Sequence, residues 1–136
     1  VYMSKQVHCE LDIDAATHFL GDAGDLSEML GNLIENAYKY CTRDVQVSAR
    51  WRSGQLEIIV EDDGPGIRPE DFVTLLQRGR RADETVDGQG IGLAVVNDTA
   101  GLYDGSLEVA ESPMGGARLT LRLGRAGTQA PGSAKK

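Results

Sequence analysis

The sequence predicts an α+β two-layer sandwich, a mixed sheet with helices on one face. Three observations lead there. Residues 45–52 and 55–62 are β-branched and alternating, and Ser53-Gly54 between them is a hairpin turn signal. From Leu26 the period changes: Leu26, Met29, Leu30, Leu33, Ile34, Ala37 and Cys41 fall at the i, i+3, i+4, i+7 spacing of a helix with one buried face. Further strand-like and helix-like runs follow in mixed order along the chain, which suits one layer of each.

The elements follow in order. Residues 6–13 alternate and carry Val7, Cys9, Leu11 and Ile13 on one side, a first strand. The apolar cluster 18–20 reads as a second brief strand before Gly21. Asp25 and Glu28 stand in capping-box spacing and are expected to open the long helix. After the hairpin comes the glycine break Asp63-Gly64-Pro65-Gly66, then a short helix over 69–76 with Pro69 at a favourable first position. Residues 78–88 are polar and without period, so a mobile loop is expected there. Gln89-Gly90-Ile91-Gly92 leads into a helix over 93–102, and strands over 106–111 and 117–123 close the domain through Pro113-Met114-Gly115-Gly116. Gly, Ala, Pro, Ser and Lys dominate the end of the chain, so the domain is expected to span 1–124 and a disordered tail 125–136.

The 136 residues suit one domain, with 40% hydrophobic and 26% charged side chains arguing against wholesale disorder. A net charge of −7 disfavours a general nucleic-acid or anionic-membrane binder. No apolar run reaches the length that spans a bilayer, and no signal peptide is visible. Cys9 and Cys41 form no metal-type or redox-type pair, so reduced thiols in a cytosolic setting are expected. The chain opens at Val1 in mid-pattern and reads as a piece of something longer.

Several groups of residues carry chemistry. Asn32, Glu35, Asn36 and Lys39 point together on the long helix, away from its apolar stripe. A solvated face would explain the charges, but two Asn inside a helix are costly, since Asn prefers caps. Asp62-Asp63-Gly64-Pro65-Gly66 suits a plain turn. Taken alone, that reading is favoured over the other, a loop whose missing side chains admit a flat ligand, with Asp62 accepting a hydrogen bond from it. Gly88-Gln89-Gly90-Ile91-Gly92 opens a helix and could offer N–H groups to phosphate. It has neither the spacing nor the preceding strand of a dinucleotide fingerprint, and it lacks the Walker lysine. Arg78, Arg80 and Arg81 are the local basic cluster beside it and could make bidentate phosphate contacts.

Taken in order, Asn32-x-x-x-Asn36-x-x-Lys39-Tyr40, Asp62-x-Gly64-x-Gly66 and Gly88-x-Gly90-x-Gly92-Leu93 resemble the N, G1 and G2 boxes of the histidine-kinase ATP-binding domain, the fold shared with gyrase, Hsp90 and MutL. The resemblance runs from about Val7 to Leu123. Lys39-Tyr40-Cys41, Arg78-Gly79-x-Arg81 and Gly115-Gly116-Ala117-Arg118 look most like the PhoQ branch of bacterial sensor kinases.

The resemblance implies a mostly antiparallel sheet of about five strands, three helices on one face and a mobile ATP lid. It implies ATP and Mg²⁺ as cofactors, with Asn36 giving an oxygen to the metal. Asn32, Lys39, Arg78 or Arg81, Gly88, Gln89, Gly90 and Gly92 would contact the phosphates, with Ile91 and Leu93 in the same box. Asp62 would select adenine, Gly64, Gly66 and Ile67 would give the base room, and Tyr40 would lie near adenine or ribose or be a half-buried interface residue. Glu35 occupies the place where the ATPase relatives carry a general base. The implied activity is that of a protein-histidine kinase, phosphorylating a histidine on a separate dimerisation domain of the parent, with a response regulator as indirect partner. The fragment itself would be monomeric, in the cytoplasmic part of an inner-membrane sensor. Stand-alone ATPase and non-catalytic nucleotide-binding module are the alternatives. Two features depart from the pattern: Leu76 stands where a Phe is common before the lid, with Phe72 a turn earlier, and neither His8 nor His18 fits a phosphoacceptor helix.

Overall fold

The computed structural model describes residues 6–14, 17–78 and 91–124. Strand β1 (His8–Ile13) is followed by helix α1 (Ala23–Tyr40), strands β2 (Asp44–Arg52) and β3 (Gln55–Asp62), helices α2 (Pro69–Arg78) and α3 (Ile91–Gly101), and strands β4 (Ser106–Glu111) and β5 (Ala117–Leu123). The five strands form one sheet in the order β1-β2-β3-β5-β4. Only the β1–β2 pair is parallel; the others are antiparallel. This is the expected two-layer α+β architecture. The predicted tail 125–136 lies outside the described residues, as does most of the predicted loop.

The β2–β3 hairpin turns where the dipeptide indicated, with Ser53 at φ 55° and Gly54 at φ 81°. Two consecutive positive φ values match the right-handed twist of the flanking strands. The register sets Val47 opposite Val60 and Ile58 opposite Leu121, so these side chains share one face. Met29, Leu33 and Ala37 of α1 and Val96 and Ala100 of α3 bury against that face.

Three expectations are corrected. The N-cap of α1 is Asp22, not Asp25: Asp22 is extended (φ −76°, ψ 125°) and its carboxylate accepts from the Asp25 N–H at 2.9 Å. Asp25 is thereby freed to accept the Tyr103 hydroxyl at 2.6 Å, while the Asp22 N–H donates to the same hydroxyl at 3.1 Å. Residues 18–20 form no strand; Phe19 instead packs on Tyr103 with ring centroids 5.1 Å apart, and His18 on Trp51 at 5.2 Å. Aromatic packing beats pairing there, because the parallel β1–β2 ladder already ends at Ile13 and Ala49. Finally, Leu11 and Ile13 do lie on one side of β1, but they are 68% and 53% exposed. β1 is an edge strand; α1 packs chiefly over β3 and meets β1 near its start, where Tyr38 lies beside Cys9.

Candidate functional site

The polar face of α1 closes one wall of a cavity of about 350 Å³. Asn32, Glu35, Asn36, Lys39 and Tyr40 line it from the helix; Asp62, Pro65, Gly66 and Ile67 line it from the end of β3 and the glycine break. Leu75 of α2, Gly92 and Leu93 of α3, and Ala117 of β5 complete it. Asn32 and Gly92, 60 positions apart in sequence, are thus brought together because α1 and α3 pack side by side over the sheet.

Asp62 sits at the floor with only 3% of its surface exposed. Its Oδ1 accepts from the Gly64 N–H at 2.8 Å and the Ala117 N–H at 3.4 Å. Among the described residues nothing donates to Oδ2, so one oxygen is left for a ligand donor. Burial pushes its pKa above the ordinary carboxylate range, the two amides pull it back, and the neighbouring Asp63 charge pushes it up again.

Asn36 carries the clearest sign of an absent partner. Its Nδ2 is the one buried side-chain nitrogen or oxygen among the described residues that has no hydrogen-bond partner. Such a group costs about 1–3 kcal/mol when left alone. The Lys39 ammonium lies 5.5 Å from the centre of the Tyr40 ring, a cation–π distance.

The glycines make room. A Cβ on Gly64 would overlap the Tyr40 carbonyl oxygen, and Gly66 adopts φ +84°, which side chains rarely tolerate. Gly92, in the first turn of α3, lies against Asn32, where a Cβ would stand 3.4 Å from its Oδ1. That first turn holds no acidic residue of its own, and Gly92 and Leu93 in it line the cavity, which puts the positive end of the helix dipole there.

Not every expected residue falls in view. Arg81, Gly88, Gln89 and Gly90 lie outside the described residues, and so do the side chains of Arg78 and Ile91. Gly64 is a neighbour of the cavity rather than part of its wall. Glu35 lines the cavity but, among the described residues, no hydrogen bond or ion pair holds it. His8 lies on β1 and His18 in the segment before α1.

Three lining residues were missed: Pro65, Leu75 and Ala117. Leu75 was readable, since Phe72, Leu75 and Leu76 recur at helical spacing; Phe72 buries in the core and Leu75, not Leu76, reaches the cavity. Ala117 was not readable, because its place depends on the β3–β5 register that sets Glu61 opposite Arg118.

The sequence profile described as "Histidine kinase-, DNA gyrase B-, and HSP90-like ATPase" matches residues 21–127. The sensor protein PhoQ of Escherichia coli K12 is 42% identical over 125 residues, which cover 92% of this chain and 26% of PhoQ. The chain therefore spans about a quarter of that relative's length. Among solved structures, full-length ShkA in complex with AMPPNP superposes with a TM-score of 0.76 at 25% identity, covering 92% of this chain and 27% of ShkA. The ATP-binding domain of PrrB from Mycobacterium tuberculosis gives 0.66 at 28% identity, covering 86% of this chain and 80% of that one. With the profile covering four of the five strands, all three helices and every wall of the cavity, the chain belongs to the family of histidine kinase-, DNA gyrase B- and HSP90-like ATPases.

Proposed function

We propose that this chain is the ATP-binding catalytic domain of a sensor histidine kinase. In this reading it holds Mg·ATP and presents the γ-phosphoryl group to a histidine on a separate dimerisation domain of its parent. A P–O bond to the leaving ADP would break and a P–N bond to the imidazole would form, after which a response regulator would receive the phosphoryl group. The reading rests above all on one arrangement among the described residues: an orphaned buried amide at Asn36, a buried carboxylate at Asp62 and the N-terminal turn of α3 around one cavity.

The roles follow from the chemistry of each position. Asp62 would accept the adenine amino group through its unused oxygen, and a guanine carbonyl there would meet it acceptor to acceptor. Ile67, Leu75 and Leu93 would cover the base with apolar surface. Asn32, Lys39 and the N-terminus of α3 would meet the phosphates, joined by Arg78, Arg81, Gly88, Gln89 and Gly90. Asn36 suits a place in the Mg²⁺ shell, because turning its amide over would offer Oδ1, a hard oxygen donor. When bound, Mg²⁺ supplies charge neutralisation on the phosphates. Catalysis then asks this chain mainly for positioning, and Glu35 is left to orient a water or the acceptor imidazole.

Without an acceptor histidine, the chain alone should bind ATP and turn it over slowly, as a monomer. In the parent, an inner-membrane sensor, the domain would face the cytoplasm; no helix among the described residues is long and apolar enough to cross a membrane itself.

Calorimetric titration with a non-hydrolysable ATP analogue, with and without Mg²⁺, tests the reading. The wild type should prefer adenine over guanine nucleotides and lose binding in Asp62→Asn. No binding by the folded wild type overturns it. Phosphate release at the pace of a dedicated ATPase would replace it with the stand-alone ATPase reading.

A further inference from the structure

Asp63 follows the buried Asp62 but does not line the cavity. Its Oδ1 instead accepts three backbone N–H groups in a row, from Thr42 at 2.9 Å, Arg43 at 3.0 Å and Asp44 at 3.1 Å. The Asp63 N–H donates to the Asp44 carbonyl at 3.2 Å, and the Thr42 hydroxyl donates to the Asp63 carbonyl at 3.3 Å. All five bonds join the turn that leaves α1 to the end of β3.

That turn is short. The Cys41 N–H makes the last helical bond, to the Ala37 carbonyl at 2.9 Å, and β2 begins at Asp44. The amides of the turn have no helical carbonyl to reach, so an outside acceptor must satisfy them. One carboxylate oxygen does so, drawing the end of α1 toward the glycine break. Gly64 sets the limit of approach, because the Tyr40 carbonyl occupies the space a Cβ would need. Asp63 pulls the two walls together and Gly64 stops them.

We propose that Asp63 is a positioning residue for the nucleotide site: it fixes the last turn of α1, with Lys39 and Tyr40, at a set distance from the Asp62 loop. The inference rests on the nucleotide reading above and adds to it a residue that touches no nucleotide. What the geometry needs is an oxygen acceptor. Asn can supply one in the same place and Ala cannot.

The test is calorimetric titration of Mg²⁺ and a non-hydrolysable ATP analogue into the whole chain, well below the melting temperature of each variant. Asp63→Ala should weaken binding about tenfold or more, while Asp63→Asn should stay within about threefold of wild type. Tyr103→Phe serves as the control: it loosens the opposite end of α1, lowering thermal stability while leaving affinity unchanged. A merely structural Asp63 would behave like that control. Folded Asp63→Ala with wild-type affinity overturns the inference, and so does Asp63→Asn binding as weakly as Asp63→Ala. Should Asp63→Ala fail to fold, Asp63→Ser, a shorter acceptor, should fall clearly below wild type, and wild-type affinity in it overturns the inference as well. A wild type that binds no ATP overturns the nucleotide reading and this inference with it.

Discussion

The Gly116 N–H donates to the Asp62 carbonyl at 3.1 Å, and this approach leaves no space for a side chain. A Cβ on Gly116 would overlap the Asp62 carboxylate and stand 2.5 Å from its carbonyl oxygen and 2.6 Å from the Gly64 nitrogen. Gly116 is not in the left-handed region, so the restriction is one of space alone. The buried carboxylate is thus shaped by a glycine in the turn between β4 and β5.

Gly116→Ala should therefore displace Asp62. Overpacking of this kind costs about 1–3 kcal/mol. Nucleotide affinity should fall about tenfold or more, because the displaced carboxylate no longer meets its ligand donor. Urea denaturation and calorimetry read the two effects separately. An alanine variant with wild-type affinity would show that Asp62 does not set binding.

Asp62 and Asp63 should give opposite pH dependences. At Asp63 burial raises the pKa, but the amides of Arg43, Asp44 and Thr42 together outweigh it and hold the carboxyl below its ordinary range. Its stabilising contribution is complete above the unfolded value, about 3.9, and disappears as pH falls through the lower folded value. Asp62 is raised, first by burial, so the folded state holds its proton more tightly. Its contribution runs the other way: stability is lost as pH rises from about 3.9 to the folded value. Relative to wild type, Asp62→Asn should gain stability as pH rises through that upper window. Asp63→Asn should lose stability as pH rises through the lower one. Denaturation midpoints from about pH 3 to pH 7 check both signs, and parallel curves would contradict the assignment.

Sequence legibility followed the range of the interaction. The Ser53-Gly54 turn was readable because its chemistry lies within two residues. The polar face of α1 was readable from helical spacing, and Asn32, Glu35, Asn36 and Lys39 all reach the cavity. The N-cap was misplaced because Asp22 and Asp25 both look like caps; the choice is made by Tyr103, which holds Asp25 from 78 positions away. Leu11 and Ile13 alternate like core residues, and only the strand order reveals that β1 is an edge. Asp63 looked like a turn residue, since nothing local indicates that its acceptors' partners lie at the end of α1.

Tyr103→Phe isolates the other end of α1. The hydroxyl accepts from the Asp22 N–H and donates to Asp25, so its loss leaves a donor and an acceptor without that partner. A cost of about 1–2 kcal/mol is expected, seen as a lower melting temperature. Asp25 and Lys39 are about 21 Å apart along the helix axis, so affinity should not change. A large loss of affinity would mean that α1 responds as one rigid unit along its whole length.

Gly31 lies inside α1, exposed, and a Cβ built on it meets nothing within 4 Å. Its φ is not positive, so neither packing nor backbone geometry within the described residues calls for glycine. A mid-helix glycine costs about 0.5–1 kcal/mol relative to alanine, mainly through the freedom it gives the unfolded chain. Gly31→Ala should raise stability by that amount. Its neighbours Asn32 and Glu35 line the cavity, but the added methyl group points into open space, so nucleotide affinity should stay unchanged. The gain should appear as a higher urea midpoint at constant slope. A loss of stability instead would mean that this face of α1 is covered by something that needs the glycine.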